Sequence, residues 1–324
     1  MSTEIPGPNL SDVDKTLLIE QYGGEVESQF KKSSIMRQYV KVRPVRNTDT
    51  ITNNRVGRTT LKALVPGVRP PADNTPFGRV QLTVDTVVLA RDNRSMLNEF
   101  QTHFDARMEL AQDHGKEIGF FFDQAFLIMG IKGSLAAAPV LGDGTAAKQS
   151  IGAGKNKTLS LALDELDPDK MEAAITGLIT DMEEEEIPTE ELVLFVRPKT
   201  YKVLSNSNKL LSRDYSPGNG DFSKMQIETI GGVRIVKTAR LPQAVIDNHF
   251  LSNVANGNAY DVSAAQAKCV ALILHPKSLM AGETIPLTSD MWFSREEKQW
   301  FIDSFLAFGV TVNRPDCCAA VFKA

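Results

Sequence analysis

The sequence predicts an α+β protein built on one long helix, several short strands and a projecting hairpin. Three observations predict it. Phe104, Met108, Ala111, Gly115, Ile118, Phe122, Ala125 and Met129 recur at alternating spacings of four and three, which is one face of a helix. Arg79–Arg91 alternates Val80, Leu82 and Val84 with Gln81, Thr83 and Asp85, the period-2 pattern of a half-buried strand. Residues 291–321 are densely apolar, although chain ends usually fray, so they read as three short strands completing a sheet begun much earlier.

Composition bounds the rest. A chain of 324 residues exceeds what one compact core usually holds, so two or more lobes are expected. Hydrophobic content of 42% and charged content of 23% are those of a folded soluble chain. The three cysteines, Cys269, Cys317 and Cys318, form neither a disulfide framework nor a Cys-x-x-Cys metal site, and point to a reducing compartment. No apolar run reaches the roughly 18 residues of a membrane helix. The N-terminus lacks the basic and apolar regions of a signal peptide, so the expectation is a cytoplasmic product with no membrane partner. The net charge of −4 hides an asymmetry. Residues 29–79 carry eleven Lys/Arg against two acids, a local balance of +9. Residues 164–191 carry twelve acids against Lys170, a balance of −11. Such blocks suit head-to-tail contact between copies, or two solvated faces.

Taken in order, residues 1–45 read as an arm. A short amphipathic piece near Asp14–Glu20 is interrupted at Gly23-Gly24, and apolar residues are too sparse for a core. Residues 46–95 read as a long hairpin with strands at Arg55–Val65 and Arg79–Arg91. Its tip, Pro66–Gly78, is stiffened by four prolines. A lone hairpin is marginal in water, so something else must brace it, such as another subunit. The long helix, 104–132, would span roughly 40 Å at 1.5 Å per residue, a strut for an oligomeric scaffold. Residues 133–158 read as a Gly/Ala-rich loop. Asp167 and Pro168 open a helix as N-cap and N1, and Pro188 follows its end near Glu186. Leu192–Val196 is a strand and Lys199–Asn206 a short helix. Ile227–Val236 is a hairpin turning at Gly231-Gly232, and Lys268–Leu274 is a buried strand.

No catalytic constellation emerges. Gly152-Ala-Gly-Lys155 invites a phosphate-loop reading, but the pattern needs Gly at 149 and Ser or Thr at 156, where Gln149 and Asn156 stand. His103 and His114 share a helix face three turns apart, too far for one zinc ion. Glu183–Glu186, four acids at a helix C-terminus, oppose the helix dipole and invite external compensation. Cys317-Cys318 in an apolar strand reads as packing. The expectation is a protein that is not an enzyme and takes no cofactor or metal.

The order of arm, basic hairpin, strut helix, mixed lobe and return strands resembles the major capsid proteins of tailed bacteriophages, with the Hong Kong 97-type fold. Three passages carry the likeness: Arg55–Arg91 with the following helix, Asp169–Glu185 with Leu192–Leu204, and Phe293–Lys298 with Phe308–Pro315. The flow is closest to podoviruses of the Autographiviridae kind. The resemblance implies a homo-oligomer of hexamers and pentamers closing an icosahedral shell around double-stranded DNA, bound without sequence specificity. It implies a scaffolding protein during assembly, a portal protein at one vertex, and a virion protein made and assembled in the bacterial cytoplasm. Residues 96–159 and 282–324 would form a peripheral domain with the spine helix, and 160–281 an axial domain. The covalent Lys–Asn cross-link of some members has no match here, so the shell is expected to be non-covalent. The candidate inter-subunit contacts are Arg55, Arg58, Lys62 and Arg69 against Glu183, Glu184, Glu185 and Glu186. An encapsulin-like cargo shell and a nucleotide-dependent enzyme using the 142–155 loop are the alternatives.

Overall fold

The computed structural model describes residues 12–67, 69, 72–95, 106–142, 144–145, 148–207, 220–221 and 226–324. Its helices are α1 (Asp12–Ser33), α2 (Ala106–Leu135), α3 (Pro168–Glu183) and α4 (Pro198–Leu204). Its strands are β1 (Val42–Pro44), β2 (Thr50–Val56), β3 (Phe77–Thr83), β4 (Val87–Ser95), β5 (Lys155–Thr158), β6 (Val193–Val196), β7 (Gly220–Asp221), β8 (Gln226–Ile227), β9 (Thr229–Ile230), β10 (Val233–Lys237), β11 (Cys269–Leu274), β12 (Leu279–Ser294), β13 (Gln299–Val312) and β14 (Cys318–Phe322). Contacts divide the chain into two compact units. One comprises residues 1–38, 84–123 and 283–308, the other 39–83, 124–282 and 309–324.

In the first unit the arm is more ordered than its sequence suggests. A single helix, α1, runs through Gly23-Gly24. Each glycine costs a helix about 1 kcal/mol, but Tyr22, Val26 and Phe30, four apart, are buried on one side and offset it. Phe30 meets Phe122 edge-on at 5.6 Å, and Phe122 lies 4.8 Å from Phe308. The α1 C-terminus is fixed by Asp123, which is fully buried. Its carboxylate accepts hydrogen bonds from Ser34 Oγ (3.2 Å), Ile35 N (2.7 Å) and Met36 N (2.9 Å).

β4 pairs antiparallel with β13, from Ser95–Gln299 to Val87–Ala307, so the return strands meet a partner some 200 residues earlier, as expected. The face carrying Ile302, Leu306 and Phe308 is buried. Of the four aromatics of β13, Trp300 and Phe308 are buried, while Phe301 and Phe305 are only half-buried. They fall on the opposite face because side chains alternate along a strand. There Phe301 stacks on Trp292 at 5.4 Å, and the Arg91 guanidinium lies 5.2 Å from the Trp292 ring. Arg91 also grips Asp303 with two hydrogen bonds, of 2.8 and 2.5 Å, which raise its pKa.

His114 is buried, with Nδ1 2.8 Å from the Tyr22 hydroxyl and Nε2 2.8 Å from Asp92 Oδ2. Burial pushes the Tyr22 hydroxyl from 10.0 up to about 12. Its neutral form is therefore favoured by folding. The associated stabilisation is complete below pH 10 and is lost as pH rises toward 12. Thermal melts between pH 9 and 12 are expected to show a smaller alkaline loss for Tyr22→Phe than for the parent chain.

The second unit is built on a six-stranded sheet in the order β5-β14-β11-β6-β10-β9. β14 runs parallel to β5 and antiparallel to β11; β6 is antiparallel to β11 and parallel to β10. β6 and β11 are buried at every position, the continuous apolar pattern of strands covered on both faces. α3 packs Met171, Ile175, Leu178 and Ile179 with Leu194, Ala271, Ile273 and Ala319 on one face. Residues 124–135 of α2 cover the other, so closely that a Cβ at Gly130 would stand 3.0 Å from Leu272 and Leu274. Cys269, Cys317 and Cys318 are free and buried, which raises all three thiols and supports the packing role. The Tyr260 hydroxyl donates to Val310 O (2.8 Å) and accepts from Val310 N (2.7 Å), standing in for a neighbouring strand.

The α3 start is as expected: Asp167 accepts from Asp169 N at 3.1 Å and Pro168 is N1. The β9–β10 turn holds Gly231 and Gly232 at φ +56° and +80°, which glycine adopts without strain. Other expectations need correction. The long helix, described from Ala106, runs on to Leu135 rather than to 132, and Phe104 lies outside the described residues. Residues 155–158 form β5 rather than loop. The C-terminal region is two long strands and one short one. The stretch Glu109–Leu135 is long and apolar enough by composition to cross a membrane, contrary to the sequence reading, and 72% of its apolar window is buried within the protein.

Candidate functional site

The hairpin is shorter than predicted. β2 and β3 pair from Thr50–Thr83 to Val56–Phe77, and residues 57–65 form no strand. Arg79–Arg91 is not one strand: it breaks at Val84–Thr86, with β3 pairing to β2 and β4 to β13. Period-2 alternation continues across the break, so the pattern could not reveal that two different sheets use it.

The brace for this hairpin comes from its own chain. At its base, Val45, Ile51 and Leu82 close over Gly282, where a Cβ would stand 2.6 Å from Ile51 Cδ1. Farther out, Gly57 N donates to Pro76 O and Arg58 N to Lys148 O, both at 2.8 Å. Lys148 Nζ donates to Asp73 Oδ1 (2.8 Å) and Asn74 O (3.1 Å), and Ser150 Oγ to Val56 O (2.6 Å). The Lys148 hydrogen bond, aided by Thr60 and the Asn74 N–H, holds the Asp73 carboxyl down to about 2. Sequence reasoning singled out neither Lys148 nor Asp73. Their pairing spans 75 positions, and no local pattern announces it.

Arg55 is turned inward. Its guanidinium donates to the carbonyls of Asn313 and, at 3.5 Å, Val312, and burial lowers its pKa. Arg58, Lys62 and Arg69 are exposed. Beside them Leu61, Leu64 and Val65 are 93%, 74% and 56% exposed, so the tip presents cations and uncovered apolar side chains together.

The acidic candidates sit where α3 ends. Glu184 N donates to Thr180 O and Ile187 N to Met182 O, closing the last turn, while Glu186 takes φ +62°. All four glutamates are exposed. Glu185 Oε1 pairs with Lys155 Nζ at 2.5 Å, so one of the four charges is offset within the chain. Glu183, Glu184 and Glu186 have no ion-pair partner among the described residues, and neither do Arg58 and Arg69.

The Gly-rich loop offers no phosphate cradle. Gly154 is pressed against Gly133 and Ser134, with its N–H given to Ala136 O at 2.9 Å. Lys155 is held by Glu185, whose carboxylate also faces Gly152 and would repel a phosphate. Among the described residues no group of three His, Cys, Asp or Glu side chains is placed to hold a metal ion.

A two-stranded hairpin, a long helix and two long return strands in a mixed α+β chain match the Hong Kong 97-type capsid fold of solved shells. The chain belongs to the Gp10A-like family of major capsid proteins, which matches residues 86–316. That family is structural, and the chain is not an enzyme. The chain is similar to the protein in the asymmetric unit of the bacteriophage PhiM1 mature capsid, with 26% identity, a TM-score of 0.77, and coverage of 90% of this chain and 87% of that one. It shares the fold of the cyanophage P-SCSP1u capsid at 16% identity and TM-score 0.80, covering 90% and 88%. It also shares the fold of a virus-like particle from Pyrococcus furiosus at 12% identity and TM-score 0.53, covering 94% and 99%. None of the curated proteins compared matches the chain.

Proposed function

We propose that this chain is the major capsid protein of a tailed, podovirus-like bacteriophage. Copies assemble as hexamers and pentamers into an icosahedral shell enclosing the DNA genome, with a scaffolding protein during assembly and a portal protein at one vertex. Synthesis and assembly take place in the bacterial cytoplasm, and the shell is the protein's place in the virion. The observation that carries this reading is the family match across residues 86–316. The likeness to the PhiM1 capsid over 90% of the chain supports it. An encapsulin-like cargo shell has less support, because the family that matches residues 86–316 is one of major capsid proteins.

Within this reading residues 160–281 act as the axial domain, and residues 96–159 and 282–324 as the peripheral domain. The exposed tip cations and the unpaired glutamates of the α3 end serve contact between copies. Exposed ion pairs contribute only ~0.2–1 kcal/mol each, but repetition over a closed shell multiplies small terms. Electron microscopy and sedimentation of the purified chain test the assignment: shells, rings or tubes are expected, and a uniform monomer or dimer would refute it. Arg58→Glu with Lys62→Glu is expected to give folded, soluble protein with an unchanged melting temperature and no shells; normal particles from this variant would remove the tip from the interface.

A further inference from the structure

A groove of about 270 Å³ lies in the second unit, beside the base of the hairpin. Five separate segments line it. Lys41 and Arg43 come from β1 and the residue before it, Asn53 from β2, Glu191 from the short turn before β6, Lys277 from the turn after β11, and Asn313 from just after β13. Glu191 is the one carboxylate among the lining residues. Lys41, Arg43 and Lys277 are exposed, and none has an ion-pair partner among the described residues. Glu191 is directed to His275, its Oε2 lying 3.0 Å from Nε2. The groove therefore carries three cations against one anion.

Its half-buried wall is preorganised. Asn53 Nδ2 donates to Asn313 Oδ1 at 2.8 Å, and Asn313 Nδ2 donates to Lys277 O at 3.1 Å. The Asn313 backbone is fixed as well: its N–H donates to Ser278 O at 2.8 Å and its carbonyl accepts from Arg55. A concave, rigid, cationic site loses little order on binding, which favours an anionic occupant with closely spaced charges.

We propose that this groove receives the acidic turn Glu183–Glu186 of a second copy of the chain; the inference rests on the capsid reading and names the cations that the turn meets. Glu183, Glu184 and Glu186 supply three unpaired carboxylates in one turn, which complements the three cations. On its own chain that turn does not line the groove, so neither patch neutralises the other within one molecule. Two different patches that complement each other form a heterologous contact, the kind that repeats around a ring. Arg55, first expected to meet those acids, is instead occupied by the carbonyls of residues 312 and 313 and supports the wall from behind.

A charge exchange on the full chain tests this. The groove variant is Lys41→Glu, Arg43→Glu and Lys277→Glu; the turn variant is Glu183→Lys, Glu184→Lys and Glu186→Lys. Each alone is expected to lower the assembled fraction, read by sedimentation and electron microscopy, by about tenfold or more, and the two combined in one chain to recover most of it. No recovery in the combined chain overturns the proposal, as does normal assembly of the groove variant. A second arm is independent of charge reversal. With the native cysteines all buried, Arg43→Cys combined with Glu184→Cys is expected to give disulfide-linked multimers on a non-reducing gel after assembly and oxidation; only monomers would refute the contact. If the groove variant assembles normally but loses retention of short duplex DNA, the groove serves nucleic acid and the proposal falls. Failure of the parent chain to assemble removes the capsid reading and this inference together, whereas parent shells with an unaffected groove variant remove this inference alone.

Discussion

Deletion of residues 309–324 is expected to abolish folding of the subunit, not merely its assembly. β14 lies inside the six-stranded sheet, bonded to β5 on one side and β11 on the other, so its loss opens two strand edges at once. Cys318, Ala319, Ala320, Val321 and Phe322 are all buried, as is Val310. Full burial of a Val or Phe side chain is worth roughly 1.5–3 kcal/mol. With the lost ladder bonds added, the deficit approaches the whole ~5–15 kcal/mol stability of a typical domain. The deletion product should be insoluble or rapidly proteolysed, without a cooperative melt by circular dichroism. A soluble product with a sharp melting transition would show that the strand is dispensable for folding.

Asp123→Ala is expected to destabilise the subunit by about 3–5 kcal/mol, since it leaves two backbone N–H groups and a hydroxyl without their acceptor at ~1–3 kcal/mol for each buried group. The donors Ile35 N and Met36 N lie 2.7 and 2.9 Å from the carboxylate, so the geometry is that of full-strength bonds. Asp123→Asn keeps one carbonyl oxygen and should cost less, about 1–2 kcal/mol, the difference between charged and neutral acceptors. Urea unfolding of unassembled subunits gives both values. Hydrogen exchange should also show faster exchange at the amides of Ile35 and Met36 in the alanine variant. An alanine variant as stable as the parent would mean that α1 is held by its apolar face alone.

Elements whose cause is local were legible in the sequence. Asp167-Pro168 announced α3, Gly231-Gly232 the β9–β10 turn, and the apolar runs of β6 and β11 their burial on two sides. Elements decided by distant partners were not. α1 continues through two glycines because Tyr22, Val26 and Phe30 find a core that the arm does not itself encode. β2 is the polar stretch Thr50–Val56 rather than the Val- and Leu-bearing 55–65, since what qualifies it is pairing with β3 across a 20-residue connection. The candidate contacts divide in the same way. Charge counting found the basic and acidic blocks. It could not show that Arg55 and Glu185 are engaged within the chain, nor that Lys41, Arg43 and Lys277 converge.

The central place of β14 also sets an order of events in time. Its partner β5 is paired through Ala319 and Lys155, more than 160 positions apart. At about 5–20 residues per second, β5 waits on the order of ten to thirty seconds on the ribosome before β14 exists. Throughout that interval the sheet cannot close: β5 has no strand beside it, and the edge of β11 that β14 will occupy is open from the moment β11 is made. Such long-range pairing makes folding slow and leaves the nascent chain open to aggregation or chaperone capture. It also acts as a gate on product quality: a chain interrupted before residue 318 lacks the strand that closes its own sheet and has no finished surface to offer another copy.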